Sequence, residues 1–370
     1  MGRVKVGIIG MGNMGKSHAL QLDKGHIEGA ILKAVCGRRE QMSWVKKNLS
    51  EHVQYYQDEE AFFTQSNIDA VIIATPHYSH PELAIKAFDK GMHVLLEKPA
   101  GVYTKNVLEM NEAAASSGKV FAMMYNQRTN PLYQKLRHLI QSGELGQIKR
   151  TNWIVTDWYR PQSYYDSSKW RATWRGEGGG VLLNQAPHQL DLWQWTTGLG
   201  PNRVHAFCHN GKYHNIEVED DVTVYVEYEN GSTGVFITST GEAPGTNRFE
   251  IVGDRGKIVV ENNTLQFFRL TQSERDFNAT YTGGFGEPEY WKIDIPVKGK
   301  NLGHLGIIQN WIEAILKGVP LLAPGEEGVR VVELANAIYL SSWLNQTIEL
   351  PIDADFYLEK LQEKINQSTF

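Results

Sequence analysis

The sequence predicts two folds in succession, an α/β domain over residues 1–124 and an α+β domain over residues 125–370. The first is expected to be a doubly wound parallel sheet. The second is expected to be an open, mostly antiparallel sheet flanked by helices. Three observations lead there. Strand and helix patterns alternate along the first 120 residues, and the strand runs read as buried on both faces. Past about residue 145 the runs alternate apolar and polar residues and are joined by turn pairs such as Asn230–Gly231, the mark of antiparallel hairpins. A chain of 370 residues is also long enough to form two cores.

The elements follow in order. RVKVGIIG (3–10), ILKAVCG (31–37), DAVIIAT (69–75), HVLLEKP (93–99) and KVFAMMY (119–125) are apolar enough throughout to be buried strands. Between them, SHALQLDKG (17–25), QMSWVKKNL (41–49), HPELAIKAFDKG (80–91) and TKNVLEMNEAAASSG (104–118) are helical, and the third ends on a glycine where a C-cap wants one. Farther along, IKRTNWIVTDWY, RVHAFCHNG, DDVTVYVEYENG, STGVFITSTG, RFEIVGDRGKIVVEN and TLQFFRL are strand-like. Helices are expected near 184–196, at 303–317 and over roughly 326–345. The domain boundary is a shift of composition near 120–130, with no low-complexity linker and no internal repeat.

Composition narrows the function. Net charge is −5, which gives no broad electrostatic attraction to nucleic acid or to an anionic membrane. The apolar runs are too short to span a bilayer, and the N-terminus lacks the long apolar stretch of a signal peptide. The two cysteines, Cys36 and Cys208, form neither a disulfide framework nor a metal pair, which fits a reducing compartment. The cytoplasm is therefore the expected location, and no metal is expected.

Gly10-Met11-Gly12-Asn13-Met14-Gly15 matches G-x-G-x-x-G between the first strand and the first helix. The first glycine permits a tight turn, the second lets a pyrophosphate approach the backbone, and the third lets helix and strand pack closely. The N–H groups opening the helix then bind the anion. This is the Rossmann arrangement for a dinucleotide. The second strand ends in Gly37-Arg38-Arg39 where an NAD site usually has a carboxylate for the ribose hydroxyls. Two guanidiniums suit a 2′-phosphate, so NADP is favoured over NAD, although an arginine stacked on adenine would serve NAD. Ala74, Thr75, Pro76, His77 and His80 end the third of these strands at the same carboxyl edge and are expected to line the cofactor cleft or cap the helix.

Glu97-Lys98-Pro99 ends the next strand, where a lysine would lie near the nicotinamide and stabilise a developing alkoxide. GGGVLLNQAPHQLDLWQW (178–195) places Asn184 and His188 four residues apart behind three glycines. If Asn184 begins a helix, Pro187 falls in its first turn, and Asn184 and His188 share a face. Together the glycine loop, TPxxxH, EKP and the glycine-led Asn-x-x-x-His resemble the Gfo/Idh/MocA family over most of the chain. In that family the lysine of EKP and a D-x-x-x-H pair form the catalytic group, which implies Lys98, Asn184 and His188 here. Asparagine replaces the family aspartate. It cannot accept a proton at neutral pH, so His188 is the expected general base, Lys98 its electrostatic partner, and Asn184 an orienting group.

The resemblance further implies hydride transfer between nicotinamide and a sugar, amino sugar or cyclitol. It also implies an oligomer, a homodimer or homotetramer, built on the second domain's sheet, and site roles for Tyr125, Asn126 and Arg128. Asn126 is expected on the cofactor side, Tyr125 and Arg128 on the substrate side. The segment before the glycines is dense in aromatic and guanidinium groups, with Trp158, Tyr159, Arg160, Trp170, Arg171, Trp174 and Arg175. Flat aromatic faces suit the C–H faces of sugars, so part of this segment is expected to close over the substrate. His304, opening a helix after a glycine-rich loop, is a further substrate candidate. Two other outcomes stay open within the resemblance: glycoside cleavage through transient oxidation on tightly held NAD, and a non-catalytic sensor of NAD(P) or sugar.

Overall fold

Strong apolar runs set the first sheet. In the computed structural model, which describes residues 2–368, the chain opens with β1 (Val4–Ile9), α1 (Asn13–Asp23), β2 (Ala30–Cys36), α2 (Met42–Asn48), β3 (Gln54–Tyr56) and α3 (Glu59–Gln65). It continues with β4 (Ala70–Ile73), α4 (His80–Asp89), β5 (His93–Leu96), α5 (Thr104–Ser117) and β6 (Phe121–Met123). All six strands are parallel, in the order β3-β2-β1-β4-β5-β6. Every residue of β4 is fully buried, as a central strand covered on both faces requires. The order reverses at β1, so the carboxyl ends of β1 and β4 flank the crevice where dinucleotides bind in such sheets.

The second sheet is built from hairpins. After α6 (Pro131–Gln141) come β7 (Ile148–Val155), α7 (Gln162–Asp166), α8 (Val181–Asn184) and α9 (Pro187–Thr197). Then follow β8 (Pro201–Asn210), β9 (Glu219–Tyr228), β10 (Thr233–Ser239), β11 (Asn247–Gly253), β12 (Gly256–Glu261), β13 (Thr264–Leu270), α10 (Glu274–Thr280) and β14 (Tyr290–Asp294). The chain ends with α11 (Gly303–Lys317), α12 (Gly328–Leu344), β15 (Ile348–Glu349) and α13 (Ala354–Asn366). Nine strands pair in the order β14-β13-β12-β11-β7-β10-β9-β8-β15. The sheet is antiparallel except where β10 runs parallel to β7. One face carries the core. Trp193 of α9 stacks on Phe236, with ring centroids 5.5 Å apart, and its indole N–H donates to Thr151 at 2.9 Å.

Two departures from the sequence reading concern the domain boundary and the helix near 184–196. The chain divides into two compact units, and the first takes residues up to Thr129 together with Leu302–Val332, not residues 1–124 alone. The reason is that α11 packs on β1 and β5, and the turn before α12 packs on β6, so a late segment completes the first core. The second unit comprises Asn130–Asn301 and the chain from Glu333 onward. The single helix expected near 184–196 is also two helices. Pro187 has no N–H with which to continue a helix from α8, so α8 stops at Asn184 and α9 starts on the proline.

Candidate active site

In the first unit the glycine loop has the form its sequence requires. Gly10 has φ of +98°, and a side chain there would lie 2.5 Å from the Ala74 carbonyl. A side chain on Gly15 would run into the Gly10 carbonyl oxygen, whereas nothing lies within 4 Å of a side chain on Gly12. Gly12 is the N-cap of α1, which has no side-chain cap and no acidic residue in its first turn. Asn13 and Met14 open that helix, and Met11 is buried. An anion can therefore reach uncapped N–H groups across an open glycine, and the loop fits a dinucleotide.

Gly37 is less open than expected. A side chain there would meet Gln41 Oε1 and, at 3.0 Å, Met11. Gln41 Oε1 accepts a hydrogen bond from the Arg38 N–H at 2.9 Å. The Arg38 side chain is 75% exposed, 3.8 Å from Glu40, and Arg39 is exposed beside it. Thr75, Pro76 and His77 follow β4 at the sheet's carboxyl edge. His80 is a strut more than a lining residue: its Nδ1 faces the Pro99 carbonyl at 2.7 Å and its Nε2 the Thr75 carbonyl at 2.8 Å. Burial pushes the pKa of His80 down, against those two carbonyls and Glu97.

Beyond β5, the acid of EKP is the centre of a buried cluster. Glu97 Oε1 lies 2.7 Å from His18 Nε2, and its Oε2 accepts from the Lys98 N–H at 3.3 Å. His18 sits on α1, three residues past Gly15. The rings of His18 and His304 are 5.6 Å apart, and Asn126 Nδ2 lies 3.3 Å from His304. Burial opposes ionisation of Glu97, but the hydrogen bond and charge of His18, with His304 and Lys98, outweigh it and hold the carboxyl at about 2. Burial also lowers the pKa of His304, while Glu97 raises it. Asn126 Oδ1 and His18 Nδ1 are buried with no hydrogen-bond partner among the described residues, so the cluster retains polar atoms that a bound cofactor or substrate can satisfy. Two expected members thus come together, Asn126 and His304, beside one the sequence reading missed, His18.

Arg128 is a correction. It is buried, its guanidinium donates to Glu327 at 2.6 Å and to the Leu322 carbonyl at 3.1 Å, and it lies over the Tyr125 ring at 5.3 Å. A buried, paired guanidinium of this kind ties the turn after β6 to the segment before α12 and is not presented to a substrate. Tyr125 is buried with it.

In the second unit the glycine-rich stretch leads into α8. Glu219 accepts from the Gly180 N–H and the Leu182 N–H, both at 2.9 Å, and from the Tyr339 hydroxyl at 2.8 Å. Burial nonetheless raises its carboxyl to about 7. Asn184, at the end of α8, donates from Nδ2 to Glu177 Oε1, and Glu177 Oε2 accepts from the Ala172 N–H at 2.6 Å. His188 is the second residue of α9. Asn184 and His188 therefore belong to consecutive helices, not to one face of a single helix.

The aromatic segment sorts into two groups. Arg160 and Arg171 both lie over Tyr164, at 5.2 and 4.5 Å, and Arg171 also lies 4.9 Å from Trp170. Arg171 donates to the Tyr164 hydroxyl at 2.8 Å, and Gln185 reaches the same hydroxyl at 3.3 Å. Tyr159 is exposed and Trp158 half-buried. Trp174 is a second correction: it is buried, donates to the Glu217 carbonyl at 3.1 Å, and packs against Tyr339 and Trp343 at 5.4 Å. It is core, because its indole N–H finds its partner inside the protein. Arg175 donates to the Ile365 carbonyl at 3.5 Å.

Comparison with known proteins places the chain in a family. Residues 4–125 match the family model described as "Oxidoreductase family, NAD-binding Rossmann fold", and residues 133–259 match the GFO/IDH/MocA C-terminal domain. The chain is 23% identical to myo-inositol 2-dehydrogenase of Thermotoga maritima, over 94% of this chain and 98% of that protein. It is 25% identical to levoglucosan dehydrogenase of Pseudarthrobacter phenanthrenivorans, over 95% and 99%. Among solved structures, the WlbA dehydrogenase of Bordetella pertussis, in complex with NADH and UDP-GlcNAcA, superposes with a TM-score of 0.80 at 25% identity, over 95% of this chain and 100% of that one. An open glycine loop, an EKP strand end and two matched models in the same order make this chain a member of the Gfo/Idh/MocA oxidoreductases.

Proposed function

We propose that this protein is an NAD(P)-dependent dehydrogenase of a sugar, amino sugar or cyclitol hydroxyl. The observation that carries the reading is the clustering, at one carboxyl edge of the parallel sheet, of an uncapped glycine loop and the buried Glu97–His18 pair next to Lys98. When bound, the nicotinamide cofactor supplies the hydride acceptor for the carbinol carbon. Lys98 places its positive charge on the developing alkoxide, His188 takes the hydroxyl proton, and Asn184 orients the substrate. Arg160 and Arg171, with the Tyr164 and Trp170 rings, bind the rest of the sugar. Arg38 and Arg39 favour a 2′-phosphate on the cofactor. The second unit's sheet joins two or more copies. The relatives' substrates, an inositol, an anhydrosugar and a nucleotide-linked uronic sugar, support this substrate class.

The test is a panel of inositols, anhydrosugars, free sugars and nucleotide sugars, assayed with NAD and NADP by nicotinamide absorbance. One class is expected to turn over, and Lys98→Ala is expected to lower kcat by roughly 100-fold or more. A Lys98→Ala enzyme with wild-type turnover overturns the assignment. Release of an aglycone with no net reduced cofactor would instead mark redox-assisted glycoside cleavage. Removing both guanidiniums, Arg38→Ala with Arg39→Ala, is expected to raise KM for NADP more than for NAD.

A further inference from the structure

We infer that Glu177 is a positioning residue that fixes the amide of Asn184, and that it carries the negative charge which the family's aspartate would otherwise bring to residue 184; the catalytic part of this inference rests on the dehydrogenase reading above. Glu177 is 2% exposed and has both oxygens engaged, Oε1 by Asn184 Nδ2 and Oε2 by the Ala172 N–H at 2.6 Å. An ionised carboxylate can only accept. The amide of Asn184 must therefore turn its nitrogen to Glu177. Its oxygen, with two lone pairs, is then the atom Asn184 offers to a substrate hydroxyl, while proton removal is left to His188. Ala172 and Glu177 flank the turn that follows Arg171, so the same carboxylate ties the substrate segment to the end of α8.

The pair also explains the departure from the family pattern. An aspartate at 184 would set a second carboxylate against Glu177 at hydrogen-bond distance in a buried site. Two such groups cannot both be ionised there, and one must hold a proton. With Glu177 in the glycine run, residue 184 has to be a donor on that side, and asparagine is the amide of aspartate's size. Carboxylate and amide keep one negative charge in the site but exchange its position.

A double-mutant cycle on the full chain tests this: Glu177→Gln, Asn184→Asp and the two combined. Each is measured for Tm across pH and for kcat and KM on the substrate the panel identifies. Glu177→Gln frees the Asn184 amide to turn over and is expected to lower kcat about tenfold with the cofactor KM unchanged. Asn184→Asp is expected to lower Tm most above about pH 5, where the unfolded chain ionises both carboxyls while the folded site must keep a proton on one of them. The combined variant restores a carboxylate–amide pair in swapped order and is expected to recover most of the Tm lost by Asn184→Asp, together with activity above that of either single variant. Strictly additive effects on Tm, or an Asn184→Asp protein whose Tm deficit against the wild type is no larger at pH 8 than at pH 5, would overturn the inference. The Tm cycle needs no substrate. Coupled Tm values with no turnover on any sugar would reject the dehydrogenase reading and the positioning role with it, leaving the carboxylate–amide pair; turnover with additive Tm values would reject the pair alone.

Discussion

Glu97 is a buried carboxylate that stays charged because of its neighbours. Its folded carboxyl, at about 2, lies below the ordinary value of 4.5. A depressed folded pKa adds stability that is present above the unfolded value and lost as pH falls from about 4.5 toward 2. His18 is a direct side-chain partner of that carboxylate, at 2.7 Å. Removing it takes a partner from a buried charge, a kind of change that typically costs about 3 kcal/mol. His18→Ala is therefore expected to unfold at clearly lower denaturant at pH 7, and to lose less on going to pH 4 than the wild type does. It should also lower kcat, because Glu97 receives the Lys98 N–H and helps to seat that lysine. Urea melts at the two pH values, with steady-state rates beside them, decide the matter; unchanged melts would show that Glu97 does not depend on His18.

At the scale of elements, α8 is four residues long, too short to persist by itself. Its first N–H groups are held by Glu219 from β9 across the fold. Negative charge suits a helix start, yet burial dominates and lifts the Glu219 carboxyl from 4.5 to about 7. The folded state thus holds this proton more tightly than the unfolded chain. That stability is fully present below about 4.5, declines as pH rises toward 7, and then levels off. Glu219→Gln is expected to flatten the Tm profile between pH 5 and 7, as a calorimetric series would show; a decline as steep as that of the wild type would exclude Glu219 as its source. The same element marks what the sequence makes legible. The buried strands, the glycine loop and the helix at 303–317 are local patterns, read from spacing alone, and α11 falls on those residues. The short β3, the exposed β14 and the break at Pro187 carry weak local signals that tertiary contacts decide. Residue type likewise does not reveal exposure: Arg128 and Trp174 look like ligand-binding side chains until their partners, Glu327 and the Glu217 carbonyl, are known. His18 and Glu177 were missed for a related reason. A histidine three residues past the glycines and a glutamate within the glycine run are visible, but their partners lie 79 and 7 residues away.

For the whole molecule, the decisive surface is the second unit's sheet. Along β9, Val222, Val224 and Val226 are buried while Thr223 and Tyr225 face outward, the period-two pattern of a sheet with one covered face. The outward face carries large apolar side chains among polar ones. Phe207 is 52% exposed, Tyr225 43% and Ile154 37%. The register sets Phe207 beside Thr223, Ile237 and Ile154 across four adjacent strands, and Tyr225 beside His205 and Val235. Exposed apolar side chains grouped on a sheet mark an interaction surface, and the oligomer proposed above would set a second copy of the same face against it about a two-fold axis. Light scattering on the purified protein is expected to give a mass at least twice the 41.8 kDa of one chain. Phe207→Glu combined with Tyr225→Glu puts like charges against each other across that axis and is expected to give 41.8 kDa, with binding of the dinucleotide by the first unit retained. A wild-type protein that stays at one chain's mass at micromolar concentration would rule this face out as the joint.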